Sequence, residues 1–140
     1  MINLIEKCGW KDQLSEDSHR TIFLVLQHAD LTIIERFISL VEEKVSKNLL
    51  SKDDSATMQD RLLMYQGKRQ LYGTQTIAQD NGKVNLLWLV ENAGELAERR
   101  KNMEMISLED YFKIARDSFN IEMRWDTTLM LEQAIQMNWL

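Results

Sequence analysis

The chain has 140 residues and a mass of 16.5 kDa, with 44% hydrophobic residues, 28% charged residues and a formal net charge of −5. This composition is that of a soluble globular protein, so it excludes the disordered and fibrous classes. The absence of proline and the presence of only five glycines favour helices over a many-turned β-sandwich. We therefore predict a mainly α fold, a compact bundle of about five to six helices forming a single domain over residues 1–140.

Charge and cysteine usage exclude further classes. A negative surface repels phosphate backbones, so general nucleic-acid binding is disfavoured, although a local patch can still hold an anion. Cys8 is the only cysteine, and we expect no disulfide within the chain, no metal and no cofactor. The start of the chain lacks a signal-peptide pattern, and the longest apolar stretches, near Ile22–Leu26 and Leu86–Val90, are far too short to span a membrane. These features predict a cytoplasmic location without membrane contact.

Capping residues predict the first two helices. Asp17 or Ser18 is expected to begin the first, which runs to about Ala29 and is apolar nearly all round at its centre. Asp30 is expected to cap the second, at about Leu31–Asn48, which carries a broad apolar stripe. Both helices are therefore expected to face the core.

A third helix and a β-hairpin are predicted next. The helix covers about Ala56–Gln66 and ends at Gly67, which adopts a left-handed turn at little cost. The arms Gln70–Gln79 and Lys83–Leu89 then flank an Asp-Asn-Gly turn, the strongest short-range hairpin signal. Two strands alone are marginal in water, so this hairpin, at about 70–89, must rest on the helices.

The C-terminal third is predicted to be helical again from about Glu91. Ser107, followed three residues later by an acidic side chain, resembles a capping box before a helix at Tyr111–Phe119. Asp126 is expected to open a last helix.

His28 is the most suggestive single residue, because it ends an otherwise apolar helix. Its imidazole is either a proton carrier or ligand, or a helix-end group bonded to a carbonyl or to Asp30. His19 lies nine residues earlier, about half a turn round the helix, so the two cannot share one metal ion. His19 is expected to be solvated.

A polar segment, Gln66–Gln75, follows the pair Asp60-Arg61. It concentrates amide, hydroxyl and cationic groups around two glycines, where a backbone can approach a ligand closely. Two interpretations stay open: the segment recognises a polar small molecule while a cation neutralises its charge, or its polar groups satisfy one another and the backbone. The sequence has no phosphate-loop, zinc-protease, nucleophile-elbow or C-x-x-C motif, so it predicts no reaction class.

Three blocks of this sequence resemble a bacterial family known only as a domain of unknown function. They are a QHA-type segment at Gln27–Ala29, a DR pair at 60–61 leading into QGK-x-QLYGTQ at 66–75, and an ERR stretch at 98–100 before an L-x-x-Y helix. The similarity covers about residues 9–115. It implies a common site, and the residues that it places in the blocks are His28, Asp60, Arg61, Gln70, Tyr72, Thr74, Gln75 and Arg99.

We therefore predict a polar ligand-binding or catalytic pocket between the first and third predicted helices and a QLYGTQ strand. His28 and Asp60 would supply proton transfer or hydrogen bonds, and the ligand-binding residues would be Arg61, Gln66, Lys68, Gln70, Tyr72, Thr74, Gln75 and Arg99. The alternative is an acidic protein-binding module, such as an inhibitor or immunity protein of a basic enzyme. A homo-oligomer with Trp125 and Trp139 at its interface is a third hypothesis.

Overall fold

A computed structural model describes residues 1–139, with Trp139 represented by its backbone alone. Over this range the chain forms seven α-helices and three strands. In chain order they are α1 (Ile2–Cys8), α2 (Glu16–Gln27), α3 (Leu31–Ser46), α4 (Lys52–Tyr65), β1 (Thr76–Gln79), β2 (Val84–Leu87), α5 (Leu96–Asn102), α6 (Leu108–Phe119), β3 (Glu122–Arg124) and α7 (Leu131–Trp139). The predicted role of the Trp139 side chain at an interface lies outside this description. None of these helices is long and apolar enough to cross a membrane.

The prediction of a mainly helical fold is confirmed, but the elements differ in number. Seven helices replace the predicted five to six, and a three-stranded sheet replaces the single hairpin. The helix α1 is too short to show an apolar period, and β3 pairs in parallel with a strand far away in sequence. Asp126 was expected to begin the last helix, but its carboxylate accepts the N–H of Thr128 at 2.9 Å in a turn, and α7 begins at Leu131.

Side-chain caps set the helix starts. Asp30 and Ser107 cap α3 and α6 as predicted, each accepting a first-turn N–H group. The first predicted helix begins earlier than expected, because Ser15 accepts the N–H of Ser18 at 3.1 Å. The third predicted helix likewise begins earlier, since Ser51 forms a full capping box at the start of α4.

The predicted hairpin is present but shorter than expected. Strands β1 and β2 are antiparallel, with Thr76 opposite Leu87 and Gln79 opposite Val84, and β3 adds to the other edge of β2. The prediction that Gln70–Gln75 is a strand was wrong. We call this segment the 70–75 loop: Gln70 forms an isolated parallel bridge with Val90, and the carbonyl oxygen of Gln75 accepts the N–H of Trp88 at 3.0 Å.

The helix α4 lies between two hydrophobic clusters. Met58 belongs to a cluster that α2 and α3 share, and Met64 to one that contains Trp88 and residues of α7. Both methionines are buried. The inner face of α4 between them is therefore covered by the fold, and any polar residue on this face must find partners there.

The expectation that His19 is solvated was wrong: the side chain is 1% exposed. Its Nδ1 accepts a hydrogen bond from the indole of Trp10 at 2.8 Å, and Nε2 lies 3.2 Å from the carbonyl oxygen of Asp12. The buried Lys44 donates to the carbonyl oxygen of Trp10 at 2.6 Å and to the Asp12 carboxylate. Hydrogen bonds from Lys44 and then Lys47 lower the pKa of Asp12 to about 2.

Candidate functional site

Asp60 is the centre of the predicted motif region and is fully buried. Its carboxylate accepts hydrogen bonds from the N–H groups of Leu71 (2.8 Å), Tyr72 (3.1 and 3.2 Å) and Thr74 (3.1 Å), and from the Thr74 hydroxyl (2.8 Å). Each carboxylate oxygen thus receives at least two donors, which fills its acceptor positions. Asp60 folds the 70–75 loop around itself, and we call this set of bonds the Asp60 network.

Two opposing effects act on the Asp60 carboxyl. Burial raises its pKa, while the hydrogen bonds from Leu71, Thr74 and Tyr72 act in the opposite direction. A buried carboxylate without such donors is costly, so the loop and the carboxylate stabilise each other.

Gln70 and Gln75 close the base of the loop. Gln70 is fully buried, and its amide nitrogen donates to the carbonyl oxygens of Gln75 at 3.0 Å and Trp88 at 2.7 Å. Its amide oxygen accepts the N–H of Gln75 at 2.8 Å. The Gln75 side chain in turn donates to the Thr74 hydroxyl oxygen at 3.1 Å. Both glutamine amides are therefore engaged inside the protein.

Two arginines of α5 bind the opposite side of the loop backbone. Nε of Arg99 donates to the carbonyl oxygen of Leu71 at 2.7 Å, and Nη1 of Arg100 donates to that of Tyr72 at 2.6 Å. At Leu71 and Tyr72 the N–H groups thus bond to Asp60 and the carbonyl groups to the two guanidinium groups. Burial lowers the pKa of Arg100, which is 3% exposed.

Sequence reasoning missed Arg100 and the role of Gly73. Leu96, an apolar residue four positions before Arg100, shares its helix face and could have indicated that this arginine points inward. Gly73 has φ +71°, and an added Cβ would lie 3.5 Å from the side chains of Leu96 and Leu108 and 3.7 Å from Nη1 of Arg100. The loop therefore needs glycine there for its backbone conformation.

The structure brings most of the predicted residues together, but not all of them. The Asp60 network and its supports contain Asp60, Gln70, Tyr72, Thr74, Gln75 and Arg99. Tyr72 is half-buried, like Thr74 and Arg99, and the pKa of its hydroxyl is raised by burial and by the charge of Asp60, with Arg99 opposing. Gln66 and Lys68 are exposed outside this network, and Gln66 contacts Glu35 at 3.4 Å.

His28 and Arg61 form a separate pair. His28 is exposed at the end of α2, and its Nδ1 lies 3.4 Å from Nη1 of Arg61. Since arginine only donates, this contact uses the imidazole nitrogen as an acceptor. Arg61 directly follows Asp60 on α4, about 100° round the helix, so it points away from the 70–75 loop.

Gln27 is the last residue of α2 and directly precedes His28. Arg20 of α2 pairs with Asp54 of α4, and Gln27 and Arg61 follow these two residues by seven positions each, or about two turns. Gln27 is 8% exposed. Within residues 1–139, its Oε1 and the Nε of Arg61 are buried atoms without a hydrogen-bond partner. A buried acceptor and a buried donor are thus left open beside His28, and we call Gln27, His28 and Arg61 the α2–α4 corner.

Comparison with protein-family models shows the family of the chain. A family of unknown function, DUF6624, matches residues 5–124, and the chain belongs to this family. Searches among curated proteins and among solved structures found no match. Over residues 1–139, no group of three or more histidine, cysteine or acidic side chains has a geometry suited to a metal ion.

Proposed function

We propose that this protein is a cytoplasmic binding protein for a small oxyanion that carries one O–H group, held at the α2–α4 corner. The proposal keeps the first and third predicted helices, which are α2 and α4, as the walls of the site. The observation that carries it is the buried Nε of Arg61, which has no acceptor within residues 1–139. Leaving such a charged donor unmet costs free energy that a bound anion would recover.

The three side chains of the corner have complementary roles toward such a ligand. Arg61 presents Nε and a terminal nitrogen side by side, the arrangement that binds two oxygens of a carboxylate or phosphate. His28 accepts from Arg61 at Nδ1, so its Nε2 carries the hydrogen and can donate to the ligand. Gln27 Oε1 can only accept, so it favours a ligand oxygen that carries hydrogen.

The role of the corner is to bind the oxyanion without catalysing a reaction. His28 and Asp60 would need a shared substrate position to act as a proton-transfer pair, but the Asp60 carboxylate is occupied by the Asp60 network. The loop then serves to fix α4, and with it Arg61. With two charge-assisted hydrogen bonds at roughly 2 kcal/mol each, we expect a dissociation constant of about 1 mM.

Inorganic phosphate and sulfate test this proposal, because phosphate carries an O–H near neutral pH and sulfate does not. We expect phosphate to shift the Arg61 Nε–H resonance with saturation, and sulfate to bind more weakly. Followed by the ring resonances of His28, the phosphate response should be abolished in Arg61→Gln and preserved in Arg69→Gln, which changes an exposed arginine outside the corner. A response that survives Arg61→Gln, or one that never saturates, would refute the proposal.

A protein-binding role is the second candidate, and the surface of α1 and α2 favours it. A groove of about 460 Å³ runs there, lined mainly by apolar side chains, and Leu4 at its edge is 63% exposed. The net charge of −5 makes the protein as a whole suited to a basic partner. A partner that co-purifies with wild type and is lost with Leu4→Asp, and whose association slows as salt is added, would support this role. Equal recovery of the partner with wild type and with Leu4→Asp would contradict this role.

A further inference from the structure

A cavity that shares no residue with the α2–α4 corner lies between α5, α6 and Trp125. Its volume is about 440 Å³, within the range of small-molecule sites. Leu96, Met105, Leu108 and Trp125 provide most of its apolar lining. Such a lining suits the hydrocarbon body of a ligand.

The charge in this cavity has one sign. Its lining residues include Arg100 and Lys101 and no aspartate or glutamate, although acidic residues outnumber basic ones in the chain by 22 to 17. The charge of the cavity is therefore positive, whereas the net charge of the protein is negative. The cavity thus selects against neutral and cationic ligands.

Arg100 has unused hydrogen-bonding capacity. Its Nε donates to the carbonyl oxygen of Ile106 at 2.9 Å and its Nη1 to that of Tyr72 at 2.6 Å, but Nη2 has no acceptor among the described residues. The guanidinium lies over the ring of Tyr111, 6.0 Å from its centroid, and pairs with no carboxylate in the described range. Burial lowers the pKa of Arg100, and the charges of Asp53 and Asp60 oppose this from a distance. Neither carboxylate contacts the guanidinium, so this buried cation has no directly paired counter-ion among the described residues.

We infer that this cavity, which we call the α5–α6 cavity, binds a small monocarboxylate with an aliphatic or aromatic body. The carboxylate would accept hydrogen bonds from Arg100, with Lys101 as a second cation at the site. The body would pack against Leu96, Leu108 and Trp125. The two neutral carbonyl bonds of Arg100 hold its side chain in one orientation, so little ordering is needed on binding.

The inference does not depend on the α2–α4 corner, since no residue is shared between the two sites. It gives Arg100 a role beyond holding the carbonyl oxygen of Tyr72. The 70–75 loop and the α5–α6 cavity meet at Arg100, so the fixed loop also fixes the ligand-binding cation.

The probes are octanoate and 1-octanol, which share a chain and differ in charge. Isothermal titration calorimetry should give saturable binding of octanoate and affinity at least about tenfold lower for octanol, since a charge-assisted hydrogen bond contributes about that factor or more. The indole N–H resonance of Trp125, assigned with Trp125→Phe, should shift on octanoate addition. Equal affinities, or no saturable binding of octanoate, would overturn the inference.

Steric blocking tests the location without disturbing the loop. Ala97 lines the cavity and is exposed, so Ala97→Phe should fill the entrance, keep the melting temperature and weaken octanoate binding at least about tenfold. Ala78→Phe, at an exposed position on β1, is the matched control and should bind like wild type. Unchanged binding by Ala97→Phe would overturn the assignment. Arg61→Gln should leave octanoate affinity unchanged, so the two proposals fail separately.

Discussion

Replacing Asp60 with alanine removes the shared acceptor of four donors in the 70–75 loop: the N–H groups of Leu71, Tyr72 and Thr74, and the Thr74 hydroxyl. A buried donor left without a partner costs at least about 1 kcal/mol. The four donors together therefore predict a loss of about 4 kcal/mol in the free energy of unfolding. That is a large part of the roughly 5–15 kcal/mol that stabilises a typical protein.

Urea unfolding and amide hydrogen exchange measure this effect separately. We expect Asp60→Ala to lower the unfolding free energy by about 4 kcal/mol and to accelerate exchange at residues 71, 72 and 74. Asp60→Asn keeps one acceptor oxygen, so its loss should be smaller. Asp53→Asn, on an exposed carboxyl of the same helix, should cost less than about 1 kcal/mol through the helix dipole. Stability within 1 kcal/mol of wild type for Asp60→Ala, with unchanged exchange, would refute the reasoning.

Three further predictions follow from buried or strained groups. Hydrogen bonds from Lys44 and Lys47 lower the pKa of Asp12 to about 2, so the stabilising contribution of this carboxylate is complete above about pH 4 and is lost as pH falls toward 2. The melting temperature should therefore drop over this pH range, and the drop should be smaller in Asp12→Asn. Gly73→Ala should cost roughly 1–3 kcal/mol in urea unfolding, whereas Gly94→Ala, in open space without positive φ, should be near neutral. His19→Phe removes the acceptor of the Trp10 indole and should cost about 1–3 kcal/mol by the same assay, and a neutral result would contradict the structural role of this histidine.

Much of the local structure could be predicted from the sequence. Asp30 and Ser107 cap the helices that they precede, because a cap bonds to N–H groups only two or three residues away. The turn after Gln79 follows from the left-handed conformation that Asn81 adopts, with φ +55°. The scarcity of proline and glycine predicted the helical class, because these residues interrupt helices at their own positions.

The sequence did not predict which polar residues of the motif face solvent and which bond to the protein backbone. Asp60, Tyr72 and Arg99 do lie together, but adjacency in a motif does not say whether a polar group faces water or its own backbone. Arg61 follows Asp60 directly, and the turn of the helix sends it to a different surface. The sequence left both interpretations of Gln66–Gln75 open, and the contacts of Asp60 and Gln70 match the one in which polar groups satisfy one another.

The sequence by itself determined the helical class, the caps and the hairpin turn, all of which depend on neighbours within a few residues. Only the tertiary structure decided that His19 is buried, that β3 joins the sheet and that Arg100 supports the 70–75 loop. These features join segments 9 to about 40 residues apart, from the pair of Trp10 with His19 to that of Val84 with Glu122. Hydrogen bonds between distant segments form between the polar groups that are buried together when the helices and strands pack. Local sequence patterns do not show which groups these are.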